Sequence, residues 1–388
     1  MQGKRGYRVE LDLTDKQITA CRQHVGAARW AYNYGLHRKQ ECYQAGLRTP
    51  SAIDLHREIN ALKPAHPWMY TVSKCAFQES LRDLDNAFKH FFRKVALKKQ
   101  GQWKGKCGYP RYKSKKRGLG SCRFTGSLHS TEKTIQLPRL GRLRLKEQEY
   151  LPVGVKVGSA TISEQAGRWF VSVCVQVEQA NPRPATGPVI GVDLGIKQLA
   201  TVSDGRVFAN PKALRSNLKR LRRLSRSHSR KVKGSQNRKK AQRKLARQHA
   251  RIANIRRDAL HKATSALVAK TKPESERPSC IVLEDLNIQG MLKNSKLSRA
   301  IADVGMYEFK RQLRYKAAQA GITIEEVSRW YPSSKTCSSC GTIREELALS
   351  ERVFVCFDCG YVADRDYNAA RVLAQSAEAL STVSSTGL

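Results

Sequence analysis

Acidic residues are scarce in this chain: 32 Asp and Glu stand against 72 Lys and Arg among 388 residues, which leaves a formal net charge of +40. That is far more positive charge than solubility requires, and it predicts a polyanionic partner. Long apolar runs are missing as well. No stretch approaches the roughly 18 uninterrupted apolar residues of a membrane span. Met1 to Leu13 holds no apolar core of the secretory kind. The expectation is a soluble, intracellular protein with no membrane partner. The nine histidines are scattered, with neither a His-x-His pair nor an H-E-x-x-H, and no G-x-x-x-x-G-K-[ST] occurs. A histidine-pair tyrosine transposase, a zincin and a P-loop hydrolase all lose support.

What is present can bury real cores. Hydrophobic residues make up 40% of the chain, with 10 Phe, 13 Tyr and 5 Trp, so it is not a disordered basic tail. Two or three domains suit this length. Of the 11 cysteines, Cys21, Cys42, Cys75, Cys107, Cys122, Cys174 and Cys280 stand singly and four are paired as C-x-x-C. That is metal spacing in a reducing compartment, not a disulfide framework.

Along the chain, Tyr7, Val9, Leu11 and Leu13 alternate with charged residues, the period-two pattern of a half-buried strand. From Thr14, a helix N-cap by type, to about Ala45 the pattern is helical. A second helical stretch, 73–99, carries Leu81, Leu84, Phe88, Phe91 and Phe92 on one side. Between Trp103 and Val177, Gly and Pro punctuate short β-type runs, read as a small barrel-like unit completed by the N-terminal strand. NPRPATGP (181–188) has linker composition, and VIGVDLGIKQLATVSDG then reads as two adjacent antiparallel strands. Residues 212–262 hold twenty Lys or Arg and one acid, Asp258, with leucines at helical spacing and Gly234-Ser235 between two arms. SCIVLEDL (279–286) reads as a buried strand, Val304 to Ala320 as an amphipathic helix, ITIEEVS as a strand, Asn368 to Leu380 as a final helix and 381–388 as a disordered tail.

Three acids stand in similar settings. Asp193 follows Val-Ile-Gly-Val, Glu284 follows Cys-Ile-Val-Leu, and Asp366 precedes an Asn-Ala-Ala run. Carboxylates drawn from distant segments onto a rigid sheet are what a two-metal phosphodiesterase uses to hold two Mg²⁺ about 4 Å apart. An isolated acid after a strand is more often a cap or turn residue, so order and context carry this inference rather than any one residue. Asp285 and Asp364 compete locally: Asp285 should point to the opposite face from Glu284, whereas Asp364 stays open. The C-x2-C-x15-C-x2-C array of Cys337, Cys340, Cys356 and Cys359 puts four thiolates on two knuckles. It predicts one Zn²⁺, structural because four cysteines leave no open position.

The basic arms, including Arg222, Arg223, Lys239 and Lys240, are too lopsided in charge for an ordinary solvated face, since like charges at i,i+4 repel unless a polyanion neutralises them. In GKCGYPRYKSKKRG (105–118), Tyr109 and Tyr112 lie with Arg111 among cations and are candidates to stack on bases, or to tuck inward.

With these residues in place, the chain resembles the TnpB family, insertion-sequence proteins related to compact type V CRISPR effectors. GVDLGIKQLATVSDG, IVLEDLNIQGM, YPSSKTCSSCG and CFDCGYVADRDYNAARVL carry the likeness, with support from RWAYN, KCAFQESLRDLDNAFKHFF and GYPRYKSKK. The resemblance implies an α+β multidomain protein. It would comprise a β-barrel wedge domain (1–14 and 100–182) and a helical recognition module (15–99). An RNase H-like RuvC nuclease domain (183–330 and 363–380) would carry a basic hairpin insertion at 212–271, with a zinc ribbon at 331–362. It further implies a guide RNA and a double-stranded DNA target as partners, with base pairing reading the target. It makes Asp193, Glu284 and Asp366 the catalytic metal ligands, choosing Asp366 over Asp364, and places Lys74 and Gln78 against a short adjacent DNA motif. Ala363 stands where many relatives have histidine. A guided DNA-binding repressor that does not cut is the alternative, and a DNA-joining transposase a third. Neither the oligomeric state nor the guide follows from the sequence.

Overall fold

The computed structural model describes the backbone of residues 2–118, 120–178, 181–348 and 350–385, and the side chains of these except 2, 117 and 378–385. The chain divides into two compact units, 1–180 and 181–388.

In the first unit, β1 (Gln2–Asp12) leads into α1 (Asp15–Gln44), α2 (Ala52–Leu62) and α3 (Lys74–Lys99), followed by β2 (Ser121–Phe124), β3 (His129–Ser130), β4 (Thr134–Leu137), β5 (Gly141–Leu145), β6 (Val157–Gln165) and β7 (Arg168–Glu178). The strands form one antiparallel sheet in the order β2-β6-β7-β1-β5-β4-β3, with the N-terminal strand at its centre. Thr14 caps α1 in a reciprocal pair with Gln17. Helix α2, absent from the sequence expectations, starts on an equivalent Ser51–Asp54 box. The core joins Cys21, Val25 and Ala28 of α1 to Phe77 and Leu81 of α3 and to Val171 and Val173 of the sheet. The apolar side of α3 does not stay covered: Leu81 and Leu84 are buried, but Phe92 is exposed, its ring against Phe88 and Phe91.

The second unit contains β8 (Ile190–Asp193), β9 (Gln198–Val202), β10 (Val207–Ala209), α4 (Ala213–Ser229), α5 (Gln236–Val268), β11 (Cys280–Glu284), α6 (Ile288–Met291), α7 (Ser298–Val304), α8 (Met306–Ala320), β12 (Thr323–Val327), β13 (Val353–Val355), β14 (Val362–Asp364) and α9 (Arg365–Ser385). Five strands form a mixed sheet in the order β10-β9-β8-β11-β12, antiparallel across β10, β9 and β8 and parallel across β8, β11 and β12. This is the RNase H-like arrangement, with the basic helices inserted before β11. The continuous apolar run of β11 follows from its place inside the sheet, between β8 and β12 and covered on both faces. Ile281 and Leu283 pack with Leu260 of α5 and with Phe309 and Leu313 of α8, while Cys280 and Val282 pack against Leu373 and Ala377 of α9.

Helix α9 begins three residues before the expected start and continues to Ser385, so 381–385 of the expected disordered tail are helical; 386–388 lie outside the described residues. The basic hairpin is closed at its tip by Arg238, which donates to the Lys231 carbonyl at 2.8 Å, and further along by Gln248, which donates to Asn217 at 2.9 Å. No described helix is long and apolar enough to cross a membrane.

Candidate active site and thiolate cluster

Adjacent parallel strands β8 and β11 run in register, with Val192 opposite Leu283. Side chains alternate along a strand. Val192 and Leu283 fall in the core shared with α5 and α8, so the next residues of each strand, Asp193 and Glu284, turn together to the other face, the α9 side. Helix α9 lies close there because Gly191 has no side chain: a Cβ at that position would meet the Ala370 carbonyl oxygen at 2.0 Å. The close approach brings the first turn of α9, and with it Asp366, to the same end of the sheet. Asp364 serves a different purpose. Its Oδ1 accepts from the main-chain N–H of Asp366 at 3.0 Å and of Tyr367 at 3.2 Å, capping the helix. Asp285 turns to the α8 side and pairs with Arg329, as alternation requires.

The electrostatics match the geometry. The Asp193 carboxyl is pushed up to about 7, first by burial and then by the negative charges of Glu284 and Asp366; Arg365 offsets part of this and Asp364 adds to it. Arg365 lies 3.4 Å from Asp366 Oδ1, and both side chains are largely buried. Two further residues hold Glu284: the Ser333 hydroxyl donates to Oε1, and the buried Lys310 ammonium donates to the main-chain carbonyl. Sequence reasoning passed over both. Ser333 sits inside the YPSSKTCSSCG stretch, and a lysine on the inward side of an amphipathic helix was the signal for Lys310. A group of acids facing one largely buried arginine, with hard oxygen donors, suits divalent cations. Two ions about 4 Å apart do not require all three carboxylates to close on one point.

The four cysteines do close on one point. Their sulfurs all lie within 4.8 Å of one another, the one such group among the described residues. Cys337 and Cys359 Sγ are 3.7 Å apart and Cys340 and Cys356 Sγ 3.5 Å. Hydrogen bonds with the Thr342 hydroxyl and main chain lower the Cys340 thiol to about 6. Four thiolates packed this closely suit a closed, four-coordinate metal site. The cluster is fastened to α9 by Asn368, which accepts from the Ser338 N–H at 2.9 Å and donates to the Thr336 carbonyl at 2.7 Å.

The remaining candidates are spread over the surface. Lys74 is exposed and Gln78 half-buried on the first turns of α3. Tyr109 is 46% exposed yet stands edge-on to Phe88 and Phe91, and the Tyr112 hydroxyl donates to Gln40 at 2.7 Å. Both rings are therefore part packed and part open. Arg111, Arg222, Arg223, Lys239 and Lys240 are exposed.

Comparison with known proteins places this chain in company. Residues 172–295 match a family described as "Probable transposase", 307–373 a "Cas12f1-like, TNB domain" and 1–48 a "Helix-turn-helix domain". A "Putative RNA-guided DNA endonuclease" of Streptomyces pristinaespiralis is 37% identical over 95% of this chain and 88% of its own length. The "Putative RNA-guided DNA endonuclease InsQ" of Escherichia coli (strain K12) is 34% identical over 96% and 92%. The protein chain of a Cas12f1–sgRNA–target DNA complex aligns with TM-score 0.48 and 11% identity, covering 96% of this chain and 99% of that one.

Proposed function

The chain belongs to the TnpB family of insertion-sequence proteins, whose members are named as RNA-guided DNA endonucleases, and on that premise we propose that it cuts double-stranded DNA chosen by a bound guide RNA, with Asp193, Glu284 and Asp366 as the catalytic carboxylates. One observation carries the assignment. Three acids from segments far apart in sequence gather at one end of one sheet face, where the first of them is pushed up to about 7 by burial and then by the other two. A fold spends stability to keep such a cluster, which marks a site of chemistry.

Asp193, Glu284 and Asp366 would hold two divalent cations, which we take to be Mg²⁺; bound there, these supply the Lewis acidity for in-line attack of water on phosphorus. The chain's own contribution is placement. Ser333 occupies Glu284 Oε1 and leaves the other oxygen to a ligand, Lys310 fixes the end of β11, and Arg365 orients Asp366. Cys337, Cys340, Cys356 and Cys359 would hold one structural Zn²⁺. The exposed cations of α4 and α5, among them Arg222, Arg223, Lys239 and Lys240, bind the RNA and DNA backbones, with Arg111, Tyr109 and Tyr112 as further contacts and Lys74 and Gln78 facing a short motif beside the target. The functional division follows: wedge 1–14 and 100–182, recognition module 15–99, nuclease 183–330 and 363–380, zinc ribbon 331–362. The target places the protein at the nucleoid.

The test expresses the chain with the flanking DNA of its own element, sequences the RNA that co-purifies, and assays Mg²⁺-dependent cutting of plasmids matching that RNA. Guide-matched cuts that disappear in Asp193→Ala are expected. Stable guided binding without cuts would indicate the repressor instead, and absence of bound RNA would overturn the proposal.

A further inference from the structure

Trp330, at 86% exposed, is the most open of the large apolar side chains among the described residues. A fold has no use for an indole in water, and an isolated one in a mobile loop would mean little. This one is held. Arg329 pairs with Asp285, the Tyr331 N–H donates to the Ser328 carbonyl at 2.9 Å, and Ser333 donates to Glu284. The segment 328–333 is thus tied at two points to the last residue of β11 and the one after it. Trp330 stands within three residues of the Glu284 contact, at most about 10 Å of chain. Ligands of open α/β sheets bind at this end of the strands.

A cleft of about 520 Å³ opens on the α8 side of the same strand end, lined by Asp285, Lys310, Arg311, Arg314 and Glu326 and by Tyr307, which is itself 71% exposed. Asp285 joins the two features, since it lines the cleft and anchors Arg329. Two open aromatic faces at this end of the sheet, with Lys310, Arg311 and Arg314 held in place by ion pairs to Glu326 and Glu308, suit one ligand chemistry. In a duplex the base faces are covered by their neighbours, whereas in a single strand they are free to stack on rings while the phosphates meet the cations. Neither ring carries a pattern that tells one base from another, which fits a site where base pairing with a guide does the reading.

We propose that Trp330 and Tyr307 form a stacking platform for single-stranded DNA, which passes over the end of β11 and delivers its backbone to Asp193, Glu284 and Asp366. The proposal rests on the nuclease function above. The experiment uses the full chain with its co-purified RNA and compares wild type, Trp330→Ala and Trp330→Phe. A short oligothymidylate, titrated in EDTA, should quench tryptophan emission in the wild type and much less in Trp330→Phe. Its affinity should fall about ten-fold in Trp330→Ala, the loss of roughly one stacked base, and be largely kept in Trp330→Phe. Guided target cutting in Mg²⁺ should slow by a similar factor in Trp330→Ala, while binding of the matched duplex is unchanged. Equal oligothymidylate affinity and equal cutting in Trp330→Ala and wild type would overturn the platform and leave the patch to a protein partner. A wild type that binds its target without cutting would refute the nuclease function alone, and the oligothymidylate titration would still decide the platform.

Discussion

The carboxylate cluster and the thiolate cluster solve the same problem, the gathering of like ligands, by opposite means. Each pair of cysteines is spaced on its own knuckle, and the two knuckles lie within one short stretch, so local chain geometry does most of the gathering. The acids come from positions 193, 284 and 366 and reach one end of one sheet face only because β8 and β11 are parallel neighbours and α9 lies against Gly191. The thiolate cluster is a property of a motif and the carboxylate cluster a property of a fold. The two are also joined, since Ser333 reaches Glu284 from the ribbon side and Asn368 ties the knuckle of Ser338 to the helix that carries Asp366.

The largest effect should come from the acids. Asp366→Asn is expected to slow guided cleavage on the order of a thousand-fold, the rate equivalent of the several kcal/mol that a metal ion supplies. A gel shift in the same samples should find target binding intact, and cutting at the normal rate would break the distinction between a ligand and a capping acid. Next is Cys356→Ser. Metal analysis should find the bound zinc lost, and cleavage should fall about 10- to 100-fold through the ribbon's ties to Glu284 and α9, the scale of an outer-shell loss. If cleavage were untouched, the two clusters would be independent.

Gly191→Ala tests how α9 is placed. Its methyl group would collide with backbone rather than a movable side chain, so chemical denaturation should show a loss of about 1–3 kcal/mol. Cleavage should drop with it, because Asp366 moves with its helix. The smallest effect concerns pH. A carboxyl held near 7 in the folded chain and near 3.8 when unfolded keeps its proton in the folded state across that window while the unfolded chain loses it. Stability therefore falls as pH rises from about 4 to about 7 and is level above. In EDTA, Asp193→Asn should be more stable than wild type by about 2 kcal/mol at pH 8, with the gap closing towards pH 4. A thermal melt series would show it, and added Mg²⁺ should narrow the difference by stabilising the wild type.

Much of the fold was legible because its patterns are local. The Thr14 cap, the alternation of β1, the buried run of β11 and the lopsided charge of α4 and α5 each announce themselves within a few residues. What escaped was short or depended on neighbours. Helix α2 is 11 residues long, and its Ser51–Asp54 box lies among polar residues. Strand β10 has 3 residues and exists only as an edge paired to β9. Helix α9 starts before the expected residue because Asp364 caps it there, a role visible only once its carboxylate is seen to accept two backbone N–H groups.

By itself, then, the sequence determined the polyanionic partner through its +40 charge, the metal-binding knuckles through cysteine spacing, and the identities of the candidate acids. Tertiary structure alone decided that those acids share a face, that Asp364 caps while Asp366 joins the cluster, and that Ser333 and Lys310 hold Glu284. The reason is physical. Spacing along a strand, a knuckle or a helix is set by bond geometry over a few residues, whereas a meeting of residues 91 and 82 positions apart depends on strand order, register and the depth at which one helix can seat on a glycine.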